Sequence, residues 1–174
     1  VLTNDPSITA WGWAVIHAGT NHVLEVGCIK TNPNSAKKRI RKSDDRTRRV
    51  SEINHQLLSL IHQYNIRYLL SEAPHGSQSA VAAVMIGMVA GMMQTISDVL
   101  NISIDWYSEG DVKKFMLGKR AASKGEMIEA VRQQMKVPFT GVKYHDEAVA
   151  DAIAVYLTAC NQSEIFKMVR RLND

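Results

Sequence analysis

VLTNDPSITAWGWAVI, residues 1–16, decides the fold of this chain. Its apolar positions alternate and are interrupted once, by the turn residues Asp5-Pro6-Ser7. The stretch therefore predicts a strand, a tight turn and a second strand at 11–16. Residues 17–21 carry the next turn signal, and residues 23–30 have the composition of a third strand. Three strands joined by such short turns predict an antiparallel meander.

Beyond the meander, helical patterns alternate with short apolar runs. Apolar residues recur at steps of three and four from about Asp45 to about Tyr64, which predicts an amphipathic helix. Ser123, with Glu126 three residues later, has the form of a capping box at a helix start. The remaining predicted elements are strands at 68–70 and 102–107 and helices at 78–100, 109–117 and 145–160. This order predicts one α/β domain over residues 1–174, with a mixed five-stranded sheet flanked by helices.

Four acidic residues stand where a predicted strand ends or a predicted helix begins: Asp5, Glu72, Glu147 and Asp151. A carboxylate beside buried strands is costly unless it is paired or binds a cation. Glu147 and Asp151 lie four positions apart and would share one face of a helix. Oxygen ligands of this kind suit Mg²⁺ or Mn²⁺. Together the four residues predict a site for two metal ions, an arrangement that can hydrolyse a phosphodiester.

Structural roles compete with this interpretation. Asp5 precedes Pro6, and aspartate is common in turns. Glu147 falls in the first turn of its predicted helix, where an acid is favourable in any case. Asp146 lies one position off the shared face and would take the ligand role if the helix began late. The joint placement of the acids favours the metal site over unrelated structural roles.

A basic segment at 37–49, KKRIRKSDDRTRR, carries the excess positive charge of the chain. It holds eight Lys and Arg against two Asp, whereas the remainder has 13 basic and 15 acidic residues. Such a cluster suits a polyanion, because each phosphate contact releases counterions. The alternative is a solvated charged loop. The segment predicts DNA contacts from Lys37, Lys38, Arg39, Arg41 and Lys42.

The predicted helix 78–100 contains a charge-free run at 80–93, fourteen residues long. A membrane span needs about twenty residues, so the run predicts a core helix, with burial expected on every side. Gly87 and Gly91 would permit close helix approach, which leaves a helix shared with a second subunit as the alternative. No charged-then-apolar leader opens the sequence, which predicts a cytoplasmic protein without a membrane partner.

Three tryptophans raise the question of base stacking. Trp11 and Trp13 lie two positions apart in one predicted strand and therefore face the same side of the sheet. Packing between sheet and helix is the stronger interpretation for this pair.

At these residues the chain resembles the RuvC family of Holliday-junction resolvases, within the ribonuclease-H-like superfamily. DPSITAWGWAVI resembles the family's first acid, its turn and its second strand, and GCIKT at 27–31 resembles the third strand. LLSEAPHG supplies a second acid at Glu72. SEGDVKKFMLGKRAASKGEMIEAV resembles the segment with two lysines eleven apart, here Lys113 and Lys124, and EAVADAIAVYLTA resembles the closing acidic helix. The likeness spans about residues 1–160.

The resemblance implies a homodimeric, Mg²⁺-dependent endonuclease that nicks symmetric strands of a four-way DNA junction. Asp5, Glu72, Glu147 and Asp151 would then hold two Mg²⁺ ions, with Mn²⁺ able to substitute. Lys124, or else Lys119, would stand near the scissile phosphate, and Lys113 would contact the DNA backbone. Helix 78–100 would form part of the dimer interface.

The chain departs from the family pattern at two places. Many relatives have two ligands three apart on the last helix, whereas Glu147 and Asp151 are four apart; this leaves Asp146, Glu147 and His145 open as the ligand. Bacterial relatives carry an aromatic residue that contacts the junction three residues after the second acid. Here that residue is His75, which the resemblance therefore implies as a DNA contact.

Three other functions compete with junction resolution. A nuclease for flaps, other branched DNA or RNA–DNA hybrids would share the fold and the metal chemistry. A phosphate-binding module of the actin-like type also begins with an acid at a strand turn, but this chain lacks its Gly-rich loops. A noncatalytic DNA-binding protein would not need all four acids.

Overall fold

The computed structural model describes residues 1–34, 40–121 and 123–172. Five strands form one sheet in the order β3-β2-β1-β4-β5. The strands are β1 (Leu2–Asp5), β2 (Ala10–His17), β3 (His22–Lys30), β4 (Tyr68–Glu72) and β5 (Ser103–Tyr107). β1, β2 and β3 pair antiparallel, and β4 pairs parallel with both β1 and β5. The predicted mixed sheet with its antiparallel meander is confirmed.

The helices follow the predicted order, with small shifts at their ends. Ser123 accepts a hydrogen bond from the Glu126 N–H, and the Glu126 carboxylate accepts one from the Ser123 N–H, so the predicted capping box is confirmed. The final acidic helix begins at Lys143, two residues before the predicted start. The helices are α1 (Lys42–Gln63), α2 (Ala80–Leu100), α3 (Glu109–Leu117), α4 (Lys124–Gln134), α5 (Lys143–Gln162) and α6 (Glu164–Arg171).

Each face of the sheet packs against its own group of helices, because alternate residues of a strand point to opposite faces. In β2, Trp11 and Trp13 are buried in a core cluster with residues of α1 and α2. Ala14 and Ile16, one position out of phase, lie in a second cluster with residues of α3 to α6. The packing role predicted for Trp11 and Trp13 is confirmed.

Helix α2 corrects one expectation: the prediction that it is buried on every side is wrong. Val89, Met93 and Ile96 are buried against the sheet, but Val81 and Val84 are 51% and 52% exposed. By length and composition alone this 21-residue helix could cross a membrane, with a mean hydropathy of 1.7. An apolar composition does not report burial here, because α2 covers the sheet with one side only.

Candidate active site

Asp5 and Glu72 are brought together by the sheet. Asp5 is the last residue of β1 and Glu72 the last of β4. These strands are parallel neighbours, with Asn4 opposite Ser71 in the ladder. The carboxyl ends of parallel strands meet at one edge of a sheet, which is where α/β proteins place their ligand sites. The two carboxylates therefore lie next to each other at that edge.

Helix α5 carries a third carboxylate, Asp151, to the same edge. The Thr3 hydroxyl donates a hydrogen bond of 2.6 Å to the backbone oxygen of Ala152, the residue after Asp151. Gly12 allows α5 to lie directly on β2, because a Cβ at that position would come within 2.0 Å of the Ala148 backbone oxygen. Both contacts are buried, so they set the position of α5 relative to the strands.

The three carboxylates line a cavity of about 450 Å³, together with Glu109, Lys113 and Lys124. Burial, followed by the charge of Asp151, raises the pKa of Asp5 to about 7. Burial and the charge of Asp5 raise the pKa of Glu72 to about 8. Acids that raise each other's pKa in this way leave a concentration of negative charge that a cation would neutralise.

Lys124 forms an ion pair with Asp151. Its Nζ lies 3.5 Å from Asp151 Oδ2 and 4.0 Å from Glu147 Oε2. Burial raises the pKa of Asp151, and the Lys124 charge acts against this shift. Lys124 is the first residue of α4, and the capping box at Ser123 and Glu126 fixes where that helix begins. Local capping thus positions the lysine beside the carboxylates.

Glu147 is not among the residues that line the main cavity. It lines a neighbouring recess with Lys124 and Lys143, whereas Asp5, Glu72 and Asp151 line the main one. Glu147 is partly buried, with its side chain 17% exposed. The structure therefore brings three of the four predicted acids into one cavity and places Glu147 at its border.

Asp146, the alternative to Glu147, has a structural role. It is buried and accepts hydrogen bonds from the N–H and hydroxyl of Thr140 at 2.9 Å and from the Gly141 N–H at 2.7 Å. Burial opposes ionisation, but these hydrogen bonds outweigh it and hold the pKa of Asp146 below its usual range. His145 Nδ1 lies 3.2 Å from Asp146 Oδ1. These contacts hold both residues at the start of α5.

Glu109 is a residue of this site that the sequence reasoning missed. It occupies the first turn of α3, forms an ion pair with Lys113 and lines the main cavity. Glu72, His75 and Glu109 each offer a ligand atom, and these atoms lie within 4.8 Å of one another. An acid in a first helical turn is common, so only its neighbours distinguish Glu109 from a capping residue.

The predicted DNA contacts lie in several environments. Lys37, Lys38 and Arg39 fall outside the described residues. Arg41 is exposed and pairs with Asp44 at 2.8 Å, and Lys42 is exposed at the start of α1. Lys119 pairs with Glu126. His75 is exposed, and Lys113 lines the cavity.

Part of the basic segment is structural. Arg49 is buried, and its guanidinium donates hydrogen bonds to Thr31 Oγ1 at 2.8 Å and to the Ile8 backbone oxygen at 3.1 Å. It therefore ties α1 to the loop that follows Asp5. Arg49 is therefore not available to a polyanion, so fewer than eight basic side chains of the segment can contact one.

The sheet order and the site together define a class of protein. A mixed sheet in the order β3-β2-β1-β4-β5, with acids at the ends of its central parallel strands and lysines beside them, is a ribonuclease-H-like domain with an acidic site that can hold divalent cations. The family model described as "Crossover junction endodeoxyribonuclease RuvC" matches residues 1–159. The chain belongs to the RuvC family, whose members are hydrolases.

Relatives of known name support this assignment along nearly the whole chain. The crossover junction endodeoxyribonuclease RuvC of Shewanella amazonensis is 26% identical over 160 residues, covering 91% of this chain and 87% of the relative. The protein of the same name from a Bradyrhizobium species is 25% identical over 170 residues, covering 97% and 91%.

Solved structures show the same fold. RuvC from Thermus thermophilus in complex with a Holliday junction substrate is similar with a TM-score of 0.68 and 22% identity, over 99% of this chain and 95% of that one. The yeast mitochondrial Holliday junction resolvase has a TM-score of 0.63 and 12% identity, over 99% and 82%. These structures confirm the predicted fold, and the family model confirms the predicted family.

Proposed function

We propose that this protein resolves four-way DNA junctions by paired symmetric nicks, with residues 1–174 acting as a single nuclease domain. The observation that carries the proposal is the meeting of Asp5, Glu72 and Asp151, from three separate elements, in one cavity. The choice of a DNA junction as the substrate rests on membership of the RuvC family and on the names of the relatives.

The residues present fit divalent cations. Asp5, Glu72 and Asp151 are oxygen donors whose pKa values are all raised, first of all by burial. Such hard donors suit Mg²⁺, and also Mn²⁺. In this proposal they hold two Mg²⁺ ions, and Glu147 completes the set from the border of the cavity. Bound Mg²⁺ supplies Lewis acidity toward the phosphate and lowers the pKa of water.

The lysines of the site act on the DNA. Lys124 stands beside Asp151 and is 61% exposed, so it can reach a phosphate at the cavity mouth and offset the charge that develops during cleavage. Lys113 contacts the backbone of the same strand. The flanking duplex is held through phosphate contacts by Lys37, Lys38, Arg39, Arg41, Lys42 and Lys119.

The protein acts as a homodimer through α2 in this proposal. Val81 and Val84 are exposed on one part of the helix, and Val99, which is 75% exposed, borders an apolar groove between α1 and α2. An exposed apolar face of this kind is typical of a protein interface. A second copy is the occupant that suits a junction, because two symmetric nicks need two sites related by a two-fold axis. With α2 covered by that copy, we place the protein in the cytoplasm.

The test is cleavage of a mobile synthetic four-way junction, compared with matched duplex, flap and RNA–DNA hybrid, in Mg²⁺ and in EDTA. We expect paired symmetric nicks that are confined to the junction and lost in EDTA. Equal cutting of flaps or hybrids would show a broader nuclease instead. Binding without metal-dependent cutting of any substrate would show a noncatalytic DNA-binding protein.

A further inference from the structure

Three ligand-bearing side chains meet at one border of the main cavity. Glu72 ends β4, His75 follows in the next loop, and Glu109 lies in the first turn of α3. Their ligand atoms are within 4.8 Å of one another. Ligands around one ion with bonds of about 2.1 Å lie at most about 4.2 Å apart. Small side-chain rotations would therefore bring all three onto a single cation.

Capping does not explain the position of Glu109. The N-terminus of α3 is already capped by Ser108, whose hydroxyl accepts the Asp111 N–H at 3.1 Å and donates to Asp111 Oδ2 at 2.7 Å. Glu109 instead faces Glu72, and two like charges so close are unfavourable without a compensating cation. Lys113 supplies one positive charge through its ion pair with Glu109.

We propose that Glu72, His75 and Glu109 form a further cation position that adjoins the active site and prefers Mn²⁺ to Mg²⁺. Mg²⁺ binds almost entirely through oxygen, whereas an imidazole ligand favours a transition-metal ion. Metal binding thus becomes the role of His75, in place of the DNA contact that its position in the family implies. The site shares Glu72 with the proposed catalytic set, but occupancy requires neither DNA nor cleavage.

Lys113 controls this position in the absence of metal. The Lys113 ammonium group donates a hydrogen bond to the Glu109 carboxylate. An incoming cation must therefore displace the lysine. Because Lys113 also lines the main cavity, displacement frees its charge for a DNA phosphate. Occupation of the position by Mn²⁺ is therefore expected to strengthen the lysine's contact with DNA.

Electron paramagnetic resonance on the DNA-free protein tests the proposal. Titration with Mn²⁺ gives the number of bound ions and their affinity, and pulsed measurements detect ¹⁴N coupling from an imidazole ligand. We expect the wild type to show the coupling and His75→Gln to lose it. Glu109→Gln is expected to bind this ion at least about tenfold more weakly. His55→Gln, an exposed histidine of α1, is the matched control and should retain the coupling.

Two further variants separate this site from the catalytic one. Asp5→Asn should lose Mg²⁺-dependent cleavage and still show the ¹⁴N coupling. Lys113→Met should bind Mn²⁺ more tightly, because the competing ammonium group is gone. The proposal is overturned if His75→Gln keeps the coupling, if Glu109→Gln binds Mn²⁺ as tightly as the wild type, or if Lys113→Met binds it more weakly.

Discussion

Gly12 and Ala148 are in direct backbone contact: a Cβ added at residue 12 would come within 2.0 Å of the Ala148 oxygen. Gly12 is also the ladder partner of Asp5, and Ala148 lies three residues before Asp151. The contact therefore links the strand pair that carries one acid to the helix that carries another. The separation of Asp5 and Asp151 depends on how closely α5 approaches β2.

Gly12→Ala should push α5 away from the sheet. The neighbouring atoms are backbone and cannot rotate aside, so we expect a loss of about 1–3 kcal/mol in the free energy of unfolding and a fall in cleavage rate. Urea unfolding and junction cleavage measure the two effects. Gly125→Ala, where a Cβ has open space, should leave the stability equal or higher. A Gly12→Ala variant with unchanged stability would contradict the contact.

Asp5→Asn should abolish cleavage and leave junction binding intact. The amide keeps the size of the side chain but cannot replace a carboxylate as a cation ligand, so we expect the cleavage rate to fall by at least about 10²-fold. Gel-shift binding and single-turnover cleavage give the two quantities. Glu129→Gln, an exposed position of α4, is the control and should cut at the wild-type rate. Cleavage by Asp5→Asn at that rate would show that the site is elsewhere.

The stability of the metal-free protein should fall as pH rises. Asp5 and Glu72 have pKa values of about 7 and about 8 in the folded protein, above their values of about 4 in an unfolded chain. The folded state then binds more protons than the unfolded state between these limits. The stability from the protonated pair is fully present below about pH 4 and is lost as the pH passes about 7 to 8.

Thermal unfolding in EDTA at about pH 6 and about pH 8.5 measures this dependence. Mg²⁺ should raise the midpoint more at the higher pH, where both carboxylates are ionised and can bind it. The double variant Asp5→Asn and Glu72→Gln should lose most of the dependence. If the double variant kept the wild-type dependence on pH, other groups would be responsible.

Neutralising the basic segment should weaken junction binding and flatten its dependence on salt. Each phosphate contact removed lowers the slope of log K against log salt by about 0.9. The substitution set is Lys37→Gln, Lys38→Gln, Arg39→Gln, Arg41→Gln and Lys42→Gln. Arg49→Gln provides the contrast. The buried Arg49 guanidinium donates hydrogen bonds to Thr31 and Ile8, so this substitution should lower the stability and leave the salt slope unchanged. If the variant with all five substitutions kept the wild-type slope, the segment would not contact DNA phosphates.

A charge on the apolar face of α2 should prevent dimer formation. Val84→Lys places an ammonium group on the face that a second copy would cover, and desolvating an unpaired charge is costly. Sedimentation should show a monomer, and paired nicks should become single nicks. Leu24→Lys, on the exposed part of β3, should leave the dimer intact. A wild type that sediments as a monomer together with its junction would contradict the proposed interface.

Local patterns in the sequence determined most of the fold. Alternation in residues 1–16 defined β1 and β2, and Ser123 with Glu126 defined the start of α4, because strand pleating and capping depend on neighbours within a few residues. The same reasoning placed Asp5 and Glu72 at strand ends, and these strands are parallel neighbours. Asp151 was expected near a helix start but lies in the middle of α5, and the packing of that helix on the sheet brings it into the same cavity.

The tertiary structure alone decided what each polar or apolar side chain meets. The sequence did not show that Asp146 is held by Thr140 and Gly141, or that Glu109 faces Glu72 and His75. Nor did the composition of α2 show that one of its faces lies outside the core. Such contacts join residues from separate elements, and their distances depend on how the helices pack on the sheet. Hydrophobic periodicity fixes which elements form, whereas close packing between them fixes which charges come within reach of one another.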